Sequence, residues 1–425
     1  MSSILTEISP GGSYAHATTF YNPYVGTTAS FSTTEADGQI TARVAQIVKN
    51  LWVMVTSNSL NSASTINSRH NGAAGNLTIS VAATATGTFQ DTTHSDSIAA
   101  GDTFNFQIVA GGTAVAEVMV AFLSVNLVVT SSTTWLMVSY ESTAGVALTG
   151  GTTQFFMISG DINNNSVTET VVQWTIRFGG TWSNLTARIT ASTTTLASTV
   201  NSRIGAANGT QTLSIAAATT GTFEDTTHTD AIVAGNLLDT EFISGGASTG
   251  SITIARLNYH FKSTNPNYAW IASGAVSGQN FGVTQFKAPA GNINNVGAEA
   301  SEQLLIRNAI TTLTVQDLYV RVTINSVNGT TTVQTRKNGA NGTLVVSIGA
   351  AATGVFEDTT HSDSLATGDL YCTTQVTAGT SGTIDFSTVS EAVTTNTPAV
   401  IVAQKQILIY TNMGGLKPTE GIFRR

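Results

Sequence analysis

A stretch of about 34 residues occurs three times along the chain at a nearly constant spacing, and this repeat constrains the fold more than any other feature. The copies span residues 69–102, 203–236 and 336–369. Their histidines, His94, His228 and His361, are 134 and 133 residues apart. Arg69, Arg203 and Arg336 keep the same two offsets, so nothing has been inserted or lost within the copies. A period of this length far exceeds the roughly 20–50 residues of a solenoid unit and matches an independently folding domain.

The repeat therefore predicts three modules in tandem, followed by a short C-terminal segment. The predicted limits are residues 1–132, 133–266, 267–400 and 401–425. The last segment begins like a further copy and stops after one or two strands. It can complete the sheet of the third module, or it can pair with the sheet edge of a neighbouring subunit by strand exchange.

Each module alternates apolar and polar residues over short runs, which is the pattern of β-strands. Leu77, Ile79 and Val81 are separated by Thr78 and Ser80, so one face of this segment can enter a core. The fold class predicted is all-β, with each module an antiparallel β-sandwich of either jelly-roll or immunoglobulin-like topology. Asn-Gly pairs are predicted to form tight hairpin turns at four positions: Asn71, Asn208, Asn338 and Asn341.

Composition excludes several classes of protein. Hydrophobic residues make up 41% of the chain and charged residues only 10%, which is the opposite of a disordered acidic chain. A net charge of −8 offers no basic field for a nucleic acid. The most apolar stretch, residues 118–129, is too short to cross a membrane, and no export signal is visible at the N-terminus. The single cysteine, Cys372, is predicted to be a small buried residue.

The most regular motif reads G-[TV]-F-[QE]-D-T-T-H-[ST]-D and contains Asp91, His94 and Asp96 in its first copy. Carboxylate and imidazole groups at this spacing are possible ligands of a divalent metal. The favoured interpretation is structural. An aspartate before two threonines can accept hydrogen bonds from amides two or three residues later, His94 can bridge to a strand, and Gly87 and Phe89 supply a bend and its anchor.

Two charged positions repeat with the same offsets. The arginines precede a turn and can pair either with a neighbouring module or subunit, or with the motif aspartates of their own module: Arg69, Arg203 and Arg336. The glutamates lack a second acid for acid–base catalysis and are predicted to be surface or turn residues: Glu35, Glu169 and Glu302.

No catalytic residue, metal site or cofactor is predicted. The sequence contains no G-x-S-x-G elbow, phosphate loop or H-E-x-x-H motif, and a site repeated in three modules would require three equivalent active centres. Trp52, Trp174 and Trp182 are predicted to pack in the core or between modules. Sequons that could accept surface glycans occur at six positions: Asn76, Asn164, Asn184, Asn208, Asn328 and Asn341.

The run NGANGTLVVSIGAAATGVFEDTTHSDSLATGD resembles repeats in bacteriophage virion structural proteins built from β-sandwich modules. The resemblance covers roughly 35 residues of each module and implies a non-enzymatic assembly protein; it carries over no functional residue. The coiled coil and collagen-like segments of many fibre proteins are absent from the sequence.

Two functions are predicted from these observations. The first is a structural subunit, located in a virion or outside the cell, which forms homo-oligomers through its β modules as part of a virion surface, a tail or a helical filament. Its weakly charged surface lowers the desolvation cost of packing copies together. The alternative is a glycan-binding, adhesin-like protein, with Tyr268 and Trp270 as one candidate platform for a sugar.

Overall fold

The computed structural model describes a set of ranges that covers most of the three repeats. They are residues 3–7, 12–24, 32–113, 117–129, 134–140, 145–158, 160–162, 165–265, 268–287, 291–292, 295–296, 313–366, 369 and 371–395. The segment 401–425, with its predicted strand exchange, lies outside these residues. Among the residues described, no helix is long and apolar enough to cross a membrane.

The described residues of the first repeat form ten strands and one short helix, α1 (Glu35–Gly38). Its strands are β1 (Ser3–Glu7), β2 (Gly12–Ala15), β3 (Thr19–Asn22), β4 (Ile40–Thr41), β5 (Gln46–Asn58), β6 (Ser64–His70), β7 (Ala73–Val81), β8 (Gly87–Ile98), β9 (Thr103–Val109) and β10 (Val118–Val129).

The second repeat has a 3₁₀ turn (Glu169–Val171) at the position of α1. Its strands are β11 (Thr134–Tyr140), β12 (Val146–Thr149), β13 (Thr153–Phe156), β14 (Gly160–Asp161), β15 (Asn165–Ser166), β16 (Trp174–Thr175), β17 (Gly180–Ser192), β18 (Ser198–Ile204), β19 (Ala207–Ile215), β20 (Gly221–Glu224), β21 (Thr229–Ile232), β22 (Leu237–Ile243) and β23 (Ser251–Ser263).

The third repeat closes the described chain. Its strands are β24 (Tyr268–Asn280), β25 (Val283–Lys287), β26 (Gly291–Asn292), β27 (Asn295–Val296), β28 (Leu313–Asn325), β29 (Thr331–Lys337), β30 (Ala340–Ile348), β31 (Gly354–Leu365), β32 (Tyr371–Thr377) and β33 (Thr383–Thr395).

The strand order identifies each module as a jelly roll. In the first repeat one sheet runs β1–β10–β5–β8 and the other β3–β9–β6–β7. The third repeat has the same arrangement, β24–β33–β28–β31 facing β25–β32–β29–β30. The second follows it with β11 and β12 both paired to β23, and β20 and β21 both paired to β17. Among the strands of this order the chain crosses from one sheet to the other at every connection except the hairpins β6–β7, β18–β19 and β29–β30. This order distinguishes the jelly roll from the immunoglobulin-like topology that the sequence left open.

We call the sheet that contains β5, β17 or β28 the long-strand sheet of its module, and the sheet that contains β6, β18 or β29 the facing sheet. The alternation predicted for β7 is confirmed, because Leu77, Ile79 and Val81 are all buried. The equivalent residues of β19 and β30 are buried as well: Leu213, Ile215, Leu344, Val346 and Ile348. Burying each such side chain contributes roughly 1.5–3 kcal/mol to the stability of the sandwich.

Each central long strand carries a β-bulge at an equivalent residue. Asn50, Asn184 and Asp317 have φ angles of 55°, 57° and 56°, and the pairing register shifts beside each of them. Asparagine and aspartate tolerate this left-handed conformation better than most residues, so the repeated Asn or Asp marks the bulge in the sequence.

Two of the four predicted Asn-Gly turns are confirmed. Asn71 and Asn338 have φ angles of 49° and 51°, and each is followed by a glycine of positive φ between two paired strands. The prediction is wrong for Asn208 and Asn341, which lie inside β19 and β30. The glycines after them are needed for close packing, as described below.

Candidate assembly interface

The aspartate of the repeated motif ties the two sheets of its module together. In the first copy, Asp91 Oδ1 accepts hydrogen bonds from the amides of Thr93 (3.2 Å) and His94 (3.1 Å). Asp91 Oδ2 accepts a third from the amide of Thr78 (3.0 Å), on a strand of the facing sheet. Asp225 and Asp358 make the same three contacts. These contacts agree with the predicted structural role of the motif.

The histidine of the motif does not bridge to a strand, so that part of the prediction is wrong. His94 Nδ1 lies 2.9 Å from Asp91 Oδ2, and the His94 side chain is 56% exposed. The carboxylate is short and has two oxygens, so Asp91 can accept hydrogen bonds from both sheets while the imidazole points outward. His228 and His361 repeat this geometry at the same distance and exposure.

The second aspartate of the motif fixes the hairpin that precedes it. Asp96 Oδ1 accepts a hydrogen bond from the amide of Asn76 (2.7 Å), and Ser68 Oγ donates to Asp96 Oδ2 (2.5 Å). A Cβ atom on Gly75 would lie 2.6 Å from Asp96 Oδ2, so this close approach requires glycine. Gly209 and Gly342, the glycines that follow Asn208 and Asn341, pack against Asp230 and Asp363 in the same way.

Both motif carboxylates therefore serve as hydrogen-bond acceptors for the fold. Burial alone would raise the pKa of Asp358, but hydrogen bonds from the Val345 and Thr360 amides and from His361 outweigh it and lower that pKa to about 2. The pKa values of Asp91 and Asp225 are lowered for the same reasons. In the part of the chain that the structure describes, no three His, Cys, Asp or Glu side chains gather into a group suited to a metal ion.

The repeated arginines pair with the repeated glutamates. Arg69 Nε donates to Glu35 Oε1 (2.9 Å) and an Arg69 Nη atom donates to Glu35 Oε2 (3.0 Å). Arg203 holds Glu169 with the same two-pronged geometry, at 2.8 and 3.1 Å. Arg69 and Arg203 thus pair with neither partner predicted for them, and Glu35 and Glu169 are ion-pair partners within their own modules. Glu302 lies outside the described residues.

This ion pair anchors a loop that reaches the next module. We call residues 35–43 and 169–177 the docking loops of the first and second modules. Each begins with the glutamate held by its module's arginine, and the first contains α1 and β4. Bidentate arginine–carboxylate pairs fix orientation as well as position, so Arg69 and Arg203 set where the docking loops lie.

The first docking loop contacts the outer face of the long-strand sheet of the second module. Asp37 Oδ1 accepts hydrogen bonds from Arg188 Nε (3.0 Å) and from an Arg188 Nη atom (2.7 Å). The backbone carbonyl of Asp37 accepts another from Arg256 (3.3 Å). Arg43 forms an ion pair with Glu224, to which Thr41 Oγ1 also donates at 3.4 Å.

This contact buries polar side chains that would otherwise face water. Arg256, Asn258 and His260 alternate along β23 and are only 2%, 4% and 6% exposed. Burial lowers the pKa of His260 to about 3, with the positive charge of Arg43 acting in the same direction. His260 is therefore neutral at physiological pH, and the first contact is a polar, charge-matched interface.

The second docking loop makes an equivalent contact with the third module. Arg177 forms an ion pair with Glu357, and these residues correspond to Arg43 and Glu224 at offsets of 134 and 133. The guanidinium of Arg177 lies 5.7 Å from the centre of the Tyr319 ring. Thr388 Oγ1 of the third module lies 3.5 Å from Met157 Sδ of the second. The module-to-module step is thus repeated with the same ion pair at its edge.

The predicted core residues include two tryptophans and the single cysteine, and the structure shows where they lie. Trp174 and Trp182 are buried, and the Trp182 ring packs on Tyr259 with centroids 4.0 Å apart; the side chain of Trp52 is outside the description. Cys372 is buried, as predicted, and pairs with Arg336 in register. The residues that pair with Arg69 and Arg203 at this position are Asn105 and Asp239.

Buried ionisable groups differ from one module to the next. Burial raises the pKa of Asp239 to about 8, with the negative charge of Glu169 adding to the shift and Arg203 opposing it. In the third module burial raises the pKa of Glu391 to about 8 and lowers that of Lys287 to about 7. Since Asn105 and Cys372 replace Asp239 elsewhere, its carboxyl is not part of a repeated chemical site.

The candidate glycan features give mixed results. Asn76 donates a side-chain hydrogen bond to Asp96 (2.9 Å), and Asn328 donates one to Thr380 (3.0 Å), so both sequon amides already have partners. Tyr268 and Trp270 lie on β24, where the structure describes the backbone alone. Glycosylation stays a prediction.

The docking loops were missed in the sequence, although a signal for their anchor is present there. Glutamate and arginine recur together in all three repeats, always 34 residues apart. Opposite charges that recur together at a fixed separation indicate a pair within each module. The ion pairs of Arg43 and Arg177 recur only twice, so comparing three copies hid them.

Comparison with known proteins adds little to this description. No known protein family matches the chain, and no curated protein matches it in sequence. One similar solved structure is a chain from the atomic structure of Sulfolobus Turreted Icosahedral Virus, with 14% identity, coverage of 84% of this chain and 81% of that chain, and a TM-score of 0.18. Another is described as the triple jelly roll fold and turret assembly in an archaeal virus, with 12% identity, 93% and 92% coverage and a TM-score of 0.15. TM-scores this low carry no argument, so the jelly-roll assignment rests on strand order alone.

Proposed function

We propose that this chain is a non-enzymatic structural subunit that self-associates through its jelly-roll modules to build part of a virion surface or tail, or an extracellular filament. The observation that carries the proposal is the repeated contact in which a docking loop lies on the outer face of the next module's long-strand sheet. A chain made of repeated units joined by a repeated contact is suited to building an extended object.

The structural roles of the residues that repeat in the modules support this proposal. Asp91, Asp96 and their equivalents bind backbone amides, and Arg69 and Arg203 anchor the docking loops. The residues that the modules share therefore hold the sheets and the docking loops in place. Residues that would do chemistry are expected to occupy a cleft with perturbed pKa values and a shared partner.

The fold narrows the choice further. Jelly rolls are the building units of many viral capsid proteins and also occur in lectins. We assign residues 1–132, 133–266 and 267–400 to the three modules. We further propose that the protein is located in a virion or outside the cell and that residues 401–425 add a strand to a neighbouring subunit. The resemblance to bacteriophage virion proteins belongs to the same proposal.

Electron microscopy of the purified full-length chain, together with a glycan array, tests this function. We expect ordered multimers and no specific glycan ligand. Monodisperse monomers that bind one class of sugar would replace the proposal with the adhesin-like alternative. Hydrolysis of a polysaccharide or peptide by the purified chain would overturn it in favour of an enzyme.

A further inference from the structure

The outermost strand of each facing sheet is paired on one side only. Among the strands that the structure describes, these are β7, β19 and β30, each at the end of its sheet order. We call them the edge strands. A strand in this position presents a row of amide and carbonyl groups to which a strand of another chain can bind. Each module therefore has one sheet edge that requires protection from unwanted pairing.

The edge strands carry none of the usual protection in their own sequences. Sheet edges are commonly protected by lysine or other charged side chains, or by proline. The edge strands contain no charged residue and no proline, and they read AAGNLTISV, ANGTQTLSI and ANGTLVVSI. In β30 the Val345 side chain is also 38% exposed. Uncharged segments of this kind, rich in β-branched residues, are prone to pair with copies of themselves.

Two aspartates from the long-strand sheet occupy the outward amides of β30. The Val345 amide donates to Asp358 Oδ2 (2.9 Å), and the Thr343 amide donates to Asp363 Oδ1 (2.7 Å). Amides two residues apart in a strand point to the same side, here the open side of the sheet. Both distances are those of a strand-to-strand hydrogen bond. The carboxylate oxygens therefore stand where the carbonyl oxygens of an added strand would stand.

The other two edge strands are closed in the same way. In β19 the Thr212 amide donates to Asp225 Oδ2 (3.0 Å) and the Thr210 amide donates to Asp230 Oδ1 (2.5 Å). The first edge strand, β7, has the two corresponding bonds described above. All six carboxylates are only 3–7% exposed. An incoming strand would have to separate two nearly buried carboxylates from their donors, which is strongly disfavoured.

We propose that the paired aspartates of the motif determine where this protein can associate with itself, by closing one sheet edge of every module to a strand from a second copy. Their bonds to the turn amides account for the local cap, and their bonds to the edge strands account for the closure. A strand that a neighbouring copy supplies must then bind at another edge. The closure applies to a monomer as well as to a multimer, so this inference goes beyond the proposed function and does not depend on it.

Opening the edge of the third module tests the proposal. The variant carrying both Asp358→Ala and Asp363→Ala leaves the two β30 amides without these acceptors. The probe is a fluorescent peptide with the sequence of residues 340–348 and lysines added at both ends for solubility. We expect the variant to bind this peptide at least about tenfold more tightly than the native chain in fluorescence anisotropy, because the main chain of β30 can then pair with it.

Two further variants separate edge pairing from a loss of stability. Val345→Pro, added to the double variant, removes one of the uncapped amide donors, so the gained binding should disappear although stability is not restored. Val333→Ala truncates a buried residue of β29 and leaves both aspartates in place. It is the matched control for destabilisation, checked by denaturant unfolding, and should bind no more peptide than the native chain.

Equal peptide binding by the native chain and the double variant would overturn the proposal. Undiminished binding after Val345→Pro, or an equal gain in Val333→Ala, would overturn it as well, since the peptide would then bind elsewhere or to a partly unfolded module. If the double variant does not fold, Asp358→Ala alone frees the Val345 amide, and a gain in binding is again required. Sedimentation velocity of the native chain in the same buffer bears on the proposed function alone.

Discussion

The two module contacts share one ion pair and differ in almost everything beside it. At the first, Arg43–Glu224 lies next to a charged cluster of Asp37, Arg188 and Arg256. At the second, Arg177–Glu357 lies next to the Tyr319 ring, and Thr388 of the third module contacts the Met157 sulfur of the second. The shared pair can align one module on the next at both contacts, whereas the centres differ in charge and are therefore expected to differ in their response to charge reversal and to pH. The ion pair is thus the constant part of the module contact, and the centre is the part that varies.

The largest effect is expected from reversing a charge at the centre of the first contact. Arg188→Glu places a second carboxylate against Asp37 in a nearly buried site, and we expect the free energy of unfolding to fall by about 2–5 kcal/mol. Denaturant unfolding followed by tryptophan fluorescence measures the loss. Arg321→Glu is the matched control at the second contact, where Val171 replaces Asp37 and the expected loss is smaller. Equal losses would show that the two centres do not differ.

Acid is expected to weaken the first contact more than the second. The pKa of His260 is about 3 in the folded chain and about 6.5 when unfolded, so the unfolded chain binds more protons below pH 6.5. Stability from this group is complete above pH 6.5 and falls as pH drops towards 3, by about 2 kcal/mol at pH 5.

The third module has Ala392 at the position of His260, so the second contact lacks the corresponding histidine. His260→Ala should remove this part of the pH dependence, and the measurement is the difference in unfolding free energy between pH 7 and pH 5 for the variant and the native chain. Parallel pH profiles for the two proteins would contradict the account.

A smaller effect, of equal size at the two contacts, is expected from removing the shared ion pairs. Double-mutant cycles with Arg43→Ala and Glu224→Ala, and with Arg177→Ala and Glu357→Ala, should each give a coupling energy of about 1 kcal/mol. Side-chain exposures of 18% and 25% in one pair, and 18% and 31% in the other, support similar values. A coupling present at one contact and missing at the other would argue against a common alignment role.

The smallest effect is expected within the modules, at the motif histidines. His94 is half exposed and contacts a carboxylate that already accepts three amide hydrogen bonds, so His94→Ala should cost about 0.5 kcal/mol. His228→Ala and His361→Ala should give the same value in thermal unfolding. A large loss at one histidine alone would assign that residue a role beyond the turn.

The sequence predicted the local features that repeat three times. The all-β fold, the alternation of β7 and the caps at Asp91, Asp225 and Asp358 follow from residue pattern and local hydrogen bonding. It could not choose the jelly roll, because strand order depends on which strands meet across the sandwich. It misassigned Asn208 and Asn341, because a glycine required by close packing looks the same as a glycine required by a turn.

The candidate interface was beyond prediction for a different physical reason. Its residues belong to different modules, and contacting partners are separated by 151 to 231 positions along the chain. Arg43 and Glu224 acquire meaning only when the docking loop is placed on the neighbouring sheet. The differences between the copies hid these ion pairs in the sequence. The same differences distinguish one module contact from the other.

Sedimentation velocity of the purified full-length chain over a wide concentration range tests the central claim most directly. If the outer faces of the modules are assembly surfaces, species larger than a monomer must appear and grow with concentration. A single monomeric species at every concentration would contradict the account.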